Sequence, residues 1–360
     1  MTGTILVEEL PLPDSIDAVR GADYEAVVDI HTVVVIEYMG DNGPAATLDE
    51  YFADLVDHEY ERKRLFVIRN EGIPVAFAIL YVWVDPDSRT AWLDVCVHPD
   101  HRRRGYGSAL LDHIEGIARA SGKPVAQGGD KHRTDVPGPR IPSPTGFGEI
   151  PQDDAVTSFL VHRGWSLEQV YRYSRLRLPV DEARLQTLLA GAWNKAGSDY
   201  RLETWIGPTP DRWLDDVATI MARMPTDAPS GDLEIDEEPW DADRVRNRDE
   251  RRRRAAQTPL VAAVVHVPSE TLVAYNDVLV PSDRTRPVSQ AVTLVLKEHR
   301  GHRLGMIVKL ANIRQVQAFS PESPSILTYN AEENRPMLDV NEVIGFVPVA
   351  YSGAWQKSLA

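Results

Sequence analysis

The chain has 360 residues, 43% of them hydrophobic and 26% charged, with a net charge of −15 from 54 acidic against 39 basic residues. That balance excludes a general nucleic-acid binder, whose affinity comes mainly from neutralising phosphates. It leaves room for a small phosphorylated ligand held by local positive charge and backbone donors, and weakly favours a cationic or amine-bearing second substrate.

No stretch reaches the roughly 18 continuous apolar residues of a membrane span, so no membrane partner is expected. The N-terminus lacks a basic segment followed by an apolar one, and a cytoplasmic protein is expected. The single cysteine, Cys96, permits no internal disulfide and supports no metal site. The length gives two domains as the starting expectation.

In chain order, "TILVEEL" reads as a first strand, and residues 14–40 carry a helical pattern with Asp14 as its cap. Thr47 and Glu50 have capping-box spacing before a second helix. "RLFVIRN", "IPVAFAILYVWV" and "TAWLDVCV" read as a three-strand meander. "SALLDHIEGIARASG" is a helix stopping at Gly122, and "KPVAQGG" a further strand. Residues 129–152, rich in Pro and Gly, read as a long surface loop or lid. A short helix ending at Gly164 and the alternating strand "SLEQVYRYSRLRL" complete the first half. After a linker containing a short helix (179–198), the same order of elements recurs from "YRLETWIG" to the end. Arg102 to Gly164 spans 62 residues and Arg300 to Gly345 spans 45, a difference that the Pro/Gly-rich loop absorbs. An internal duplication with one insertion accounts for this. The domains expected are therefore 1–178 and 199–360.

"HPDHRRRGYGSALL" places three arginines and two glycines where a strand hands over to a helix. Gly105 and Gly107 let backbone amides approach a ligand, and the helix start adds unpaired N–H groups, an arrangement suited to phosphate. A solvated basic helix start is the alternative on residue type alone. Neither the Rossmann G-x-G-x-x-G nor the P-loop pattern is present. Instead, Arg102-x-x-Gly105-x-Gly107 follows an antiparallel meander, and "HRGW" closes a later short helix.

This resembles the GNAT superfamily of acyl-CoA-dependent N-acyltransferases, and within it the tandem group of actinobacterial type, similar in architecture to mycothiol synthase. The resemblance implies an α/β (α+β) fold of two GNAT domains, each a mixed, mostly antiparallel sheet flanked by helices. It implies acetyl-CoA as cosubstrate and a small amine as acceptor. Either a monomer with pseudo-dimeric halves or a homodimer is consistent with it. On the family's pattern, Val95, Cys96 and Val97 line the pantetheine arm, and Arg102, Arg103, Arg104, Gly105, Tyr106, Gly107 and Ser108 hold the pyrophosphate. In the second copy, "HRGHRLG", Arg300 and Gly305 stand at matching positions, and Arg303 replaces the middle glycine. Its side chain either crowds the phosphate path or binds phosphate itself.

Such chemistry needs a base for the acceptor ammonium and an acid for the leaving thiolate. Counting back from Gly345-Phe346 puts Asn334 at the family's asparagine and Asn341 at its tyrosine; counting back from Gly164-Trp165 puts Asp153 and Leu160 there. Neither half keeps the tyrosine, although Asn341 can donate a hydrogen bond. Asp94, on the fourth strand, is a candidate base unless strand alternation turns it away. Glu37 and Tyr38, near the end of the first helix, are candidate acceptor-binding residues or ordinary surface residues. Tyr275, Asn276 and Asp277 interrupt the apolar strand "LVAYNDVLV", either facing an acceptor cleft, with Tyr275 as a catalytic candidate, or marking a bulge. The run "RVRNRDERRRR" reads as a solvated helix face, and His299 and His302 as turn residues. A scaffold that binds CoA with little transfer, or an enzyme using a carrier-protein thioester, is the alternative.

Overall fold

The computed structural model describes residues 5–227, 229–236 and 239–360. The chain divides into two compact units that do not follow chain order at their edges. Unit 1 runs through Val170 and also takes Gly231–Asp236 and Ala350–Ala360; unit 2 comprises Tyr171–Ser230 and Glu237–Val349. The later part of the C-terminal strand thus belongs to the first unit, whereas two uninterrupted domains, 1–178 and 199–360, joined by a linker at 179–198, were expected from the sequence.

The elements are β1 (Glu8–Leu10), α1 (Ala22–Met39), α2 (Leu48–Leu55), β2 (Glu61–Asn70), β3 (Ile73–Trp83), β4 (Thr90–Val97), α3 (Tyr106–Ala120), β5 (Val125–Gly129), three short strands β6 (His132–Arg133), β7 (Arg140–Pro142) and β8 (Glu149–Pro151), α4 (Ala155–His162) and β9 (Ser166–Arg177). There follow α5 (Glu182–Ala196), β10 (Tyr200–Ile206), α6 (Leu214–Asp227), α7 (Ala242–Arg254), β11 (Gln257–His266), β12 (Thr271–Pro281), β13 (Val288–Val295), α8 (Leu304–Phe319), β14 (Ser325–Ala331), α9 (Arg335–Ile344) and β15 (Val347–Ser358).

In unit 1, β1 to β4 pair antiparallel in sequence order, β4 pairs β5 in parallel, and β5 pairs antiparallel with the later part of β15. In unit 2 the order from β10 to β13 is again an antiparallel meander, β13 pairs β14 in parallel, and β14 pairs antiparallel with the later part of β9. Each sheet is mostly antiparallel with one parallel pair, and helices pack on both faces. In unit 1, α3 covers one face with Leu110, Leu111 and Ile114 against Ala78, Ala91 and Leu93. On the other face, Val27 and Ile30 of α1 and Phe52 of α2 meet Val67, Phe77 and Ile79. Among the described residues, no helix is long and apolar enough to cross a membrane.

Three local expectations are corrected. Asp14 does not cap α1, which starts after Gly21 (φ 115°) behind a separate 3-10 turn at Ile16–Ala18. The capping box at Thr47 is present, each partner satisfying the other's amide. The stretch 179–198, expected as a linker with a short helix, is mostly the 15-residue helix α5. This helix buries Leu185, Ala192 and Ala196 in the same hydrophobic cluster as Leu304 and Ile307 of α8. The insertion 129–152 is partly ordered by β6, which pairs with β15, and by the β7–β8 hairpin, whose Ile150 is fully buried.

Candidate functional site

The site of unit 1 begins where β4 and β5 part. Their parallel ladder has only three rungs, Thr90↔Val125, Ala91↔Ala126 and Trp92↔Gln127. At the next position Gly128 is required, because a Cβ there would lie 2.7 Å from the Leu93 carbonyl oxygen. Beyond it Asp94–Val97 form one arm and Gly129–Arg133 the other, and a cleft of about 810 Å³ opens between them. Helix α1 walls the cleft with His31, Val34, Val35 and Tyr38, spaced i, i+3, i+4, i+7 along one helix face.

The turn after β4 reaches α3 through two left-handed residues, Arg103 (φ 62°) and Gly105 (φ 86°). Gly105 is the N-cap of α3, and no side chain caps that end. The first-turn amides of Tyr106, Gly107 and Ser108 are therefore available to a ligand. All three residues line the cleft. A Cβ on Gly107 would lie 3.7 Å from both Val97 and Phe159, so a larger substituent there projects into a confined channel. Arg102 works differently from the expectation of a phosphate ligand. Its Nε donates to the Val97 carbonyl (3.3 Å), and its two terminal nitrogens grip both oxygens of Glu37 at 2.8 and 2.6 Å. The guanidinium thus ties the turn to the end of α1, and Glu37 is committed to it. Arg104 is not among the lining residues; it donates to the Asp100 carbonyl at 3.2 Å.

Asp94, Val95, Cys96, Val97, Arg103 and Tyr38 also line the cleft. The Asp94 side chain makes no hydrogen bond or ion pair with the described residues, so its carboxylate remains for an incoming group. Burial pushes the Cys96 thiol well above its usual range, as does the nearby charge of Asp94, so it is no thiolate nucleophile.

Two histidines that sequence reasoning passed over belong to the site. Burial lowers His31 to about 4 despite the opposing pull of Asp94, which makes it a neutral hydrogen-bonding group at physiological pH. Its ring lies 4.7 Å from that of Tyr51. His132, fully buried, lies 2.8 Å from Asp130 through Nε2 and 2.8 Å from Asp154 through Nδ1. Burial opposes its charge, but the two carboxylates prevail and raise it to about 9. Asp130 also accepts from the Gly353 amide (2.6 Å) and the Trp355 indole (2.8 Å), and Asp154 is the N-cap of α4. The imidazolium thereby joins the β5 arm to the start of α4. The helical spacing of His31 with Tyr38 was a legible signal; Asp130 lies two residues from His132, but nothing local marked Asp154.

Unit 2 repeats the backbone of the turn with the residue types exchanged. Gly301 (φ 86°) and Arg303 (φ 58°) are left-handed where unit 1 has Arg103 and Gly105. Arg300 Nε donates to the Val295 carbonyl (3.1 Å), as Arg102 does to Val97, and its terminal nitrogen pairs with Asp227 (3.1 Å). The first turn of α8, however, is buried: Leu304, Gly305, Met306 and Ile307 all lie in the interior. Leu304, Met306 and Ile307 share a hydrophobic cluster with Leu185, Leu189 and Trp193 of α5.

The other second-half expectations change accordingly. Tyr275, Asn276 and Asp277 are all completely buried. Tyr275 receives a hydrogen bond from Arg248 (3.2 Å) and donates to Asp277 (3.0 Å), while Arg252 pairs with Asp277 at 2.7 Å. Burial raises Tyr275 to about 12, and it is no catalytic acid. The arginine run is not a solvated face, since Arg244, Arg248 and Arg252, spaced by four on α7, are buried. Asn334 is the N-cap of α9 without a capping hydrogen bond. Asn341 is buried and donates to Asn330 (2.8 Å), with its own oxygen unpartnered. Lys309 is also buried, and its Nζ has no hydrogen-bond partner. Among the described residues, no group of His, Cys, Asp or Glu is arranged to hold a metal ion.

Residues 32–126, which contain the cleft's β4 arm and the turn, match the family model of the acetyltransferase (GNAT) family. Among solved structures, a tandem GNAT protein from the clavulanic acid biosynthesis pathway is similar over 99% of this chain and 99% of its own, at 23% identity and a TM-score of 0.75. A GCN5-related N-acetyltransferase from Sphaerobacter thermophilus covers 99% of this chain and 96% of its own, at 15% identity and 0.60. A putative acetyltransferase from Pyrococcus horikoshii covers 98% and 89%, at 12% identity and 0.54. At these identities the likeness is one of fold. No curated protein matches the sequence significantly. Residues 32–126 are thus similar to the GNAT family, and the chain as a whole has the fold of the tandem GNAT protein.

Proposed function

We propose that this protein is an acyl-CoA-dependent N-acyltransferase, with acetyl-CoA as donor and an amine of a small molecule as acceptor, and that unit 1 carries the reaction. The supporting observation is the uncapped, accessible turn at 102–108, which opens into the same cleft as the unpartnered carboxylate of Asp94. The amides of Tyr106, Gly107 and Ser108 and the positive end of α3 hold the pyrophosphate. Arg103 lines that path, and Arg102 orients the turn through Glu37. Val95, Cys96 and Val97 flank the pantetheine arm.

Bound acyl-CoA presents a thioester carbonyl to the acceptor. Asp94 takes a proton from the acceptor ammonium, directly or through water, and neutral His31 offers the amine a hydrogen-bonding partner. The amine nitrogen then bonds to the carbonyl carbon, the carbon–sulfur bond breaks, and the thiolate takes up a proton. Leu160, which stands where the family's usual acid would be, lines the cleft and supplies no proton. This observation favours the second reading, a CoA-binding protein with little turnover, or one served by a carrier-protein thioester.

Calorimetric titration with acetyl-CoA, followed by thiol release against a panel of small amines, tests the proposal. Binding with amine-dependent thiol release supports it. Binding without release from any amine favours the second reading, and no binding of acetyl-CoA or longer acyl-CoAs removes the donor assignment.

A further inference from the structure

The three-rung ladder between β4 and β5 fixes how widely the cleft opens, and three pairs are little to hold two diverging strands. A segment from far along the chain, Gly231–Asp236 between α6 and α7, belongs to unit 1 and lies across this ladder. Asp236 accepts hydrogen bonds from Ser88 Oγ (2.7 Å), Thr90 Oγ1 (2.6 Å) and the amides of Arg89 and Thr90 (both 3.2 Å), all at the start of β4. Glu234 engages the neighbouring strands. Its carbonyl accepts from Gln127 of β5 (2.7 Å), and its amide donates to Gln356 of β15 (2.8 Å). Gln127 and Gln356 are themselves cross-strand partners, joined at 3.0 Å. The Glu234 carboxylate pairs with Arg89 at 2.5 Å. At the other end of the segment Gly231 presses on β9, where a Cβ would come within 2.6 Å of the Glu168 carbonyl oxygen.

The bonds fall on particular rungs. Thr90 is the first residue of the ladder on β4, and Gln127 belongs to the last rung on β5. Thr90 also shares a sheet face with Trp92 and Asp94, because side chains alternate along a strand. The segment therefore ties both strands at the closed end of the splay, on the face that carries the candidate base. Burial opposes the charge on Asp236, yet the hydrogen bonds from Thr90, Ser88 and the two amides hold its carboxyl below the usual range. A carboxylate receiving four donors in this way is a fixed anchor.

We propose that Gly231–Asp236 is a clasp that sets the width of the acyl-CoA cleft, with Asp236 as its positioning residue. Neither Asp236 nor Glu234 lines the cleft, so the effect passes through β4 and β5. The proposal rests on the acyl-CoA reading only for its ligand readout.

The test compares wild type with Asp236→Ala by acetyl-CoA titration, thermal unfolding and amide hydrogen exchange. The expected result is roughly tenfold weaker acetyl-CoA binding with Tm nearly unchanged. Exchange should be faster at 90–97 and 125–131 and unaltered at 257–281. A merely structural role would lower Tm and leave the affinity alone, and unchanged affinity with unchanged exchange in those strands overturns the clasp. If wild type binds no acetyl-CoA, the donor assignment fails and exchange alone decides: faster exchange in 90–97 and 125–131 supports the clasp, and unaltered exchange overturns it. Should Asp236→Ala not fold, Gln127→Ala, which cuts the β5 tie, is put through the same readouts with the same two outcomes.

Discussion

The turns at 102–108 and 300–306 follow one backbone path with opposite consequences. Both leave a strand through a 3-10 turn, pin an arginine Nε to the strand carbonyl and enter the helix through two left-handed residues. Glycine and arginine merely change places between the two left-handed positions. The difference lies in what covers the helix start. The first turn of α3 lines an open cleft, whereas that of α8 lies in a hydrophobic cluster with α5. Backbone donors arranged for an anion become a site only where a ligand can reach them.

The sharpest way to break this comparison is the same substitution in both turns. Gly107→Glu places bulk and negative charge in the channel beside Val97 and Phe159, and acetyl-CoA affinity is expected to fall at least a hundredfold. Gly305→Glu forces a carboxylate into the buried start of α8, so it should lower Tm by many degrees and leave the affinity of any folded protein intact. Calorimetric stoichiometry decides the matter: binding that survives Gly107→Glu returns unit 2 to consideration. Next in size is Asp94→Asn. It should lower amine-dependent thiol release about 10²-fold, within the usual range for a lost general base, with acetyl-CoA affinity unchanged. An unchanged rate would remove Asp94 from the chemistry.

Much of unit 1 was legible because its signals are local. Apolar strand-like runs separated by turn residues marked β2 to β4, Thr47 and Glu50 marked α2, and the glycines marked the turn. What escaped depends on tertiary partners. His132 acquires its role from Asp130, two residues before it, and from Asp154, which meets it across the 129–152 insertion. The arginines of α7 read as a solvated face because charge is normally outside, yet Asp277 on β12 draws Arg252 inward. The fate of Tyr275 followed from the same cluster. The burial of α8's first turn was hidden for another reason: α5 looked like a connection, and its apolar stripe (Leu185, Leu189, Trp193) was not matched to any surface. That the later part of β9 pairs with β14 and the later part of β15 with β5 leaves no mark in composition.

The comparison extends to the helix interiors. Leu111 of α3 lines the open cleft, and Lys309 holds the corresponding place in α8, where its amine is buried without a hydrogen-bond partner. Burial lowers Lys309 from 10.5 to about 7. The unfolded chain then holds a proton that the folded one lacks between those values, so stability falls as pH drops from about 10.5 to about 7 and the penalty is complete below that. Lys309→Met, nearly equal in volume, should therefore raise Tm by several degrees at pH 7 and by progressively less toward pH 10. A gain that does not shrink with pH would mean packing rather than charge is responsible.

The smallest expected effect separates backbone from access most cleanly. Arg303 is held at φ 58°, a conformation that costs an L-residue about 1 kcal/mol and glycine almost nothing. Arg303→Gly restores the glycine that unit 1 has at Gly105, and part of its gain is offset by the freer unfolded chain. Tm should rise by a degree or two, with one acetyl-CoA bound per chain as before. If the turn sequence were what closes unit 2, this substitution would bring a second binding event. If burial by α5 closes it, the second event should stay absent even though the turn now carries the glycine of its open counterpart.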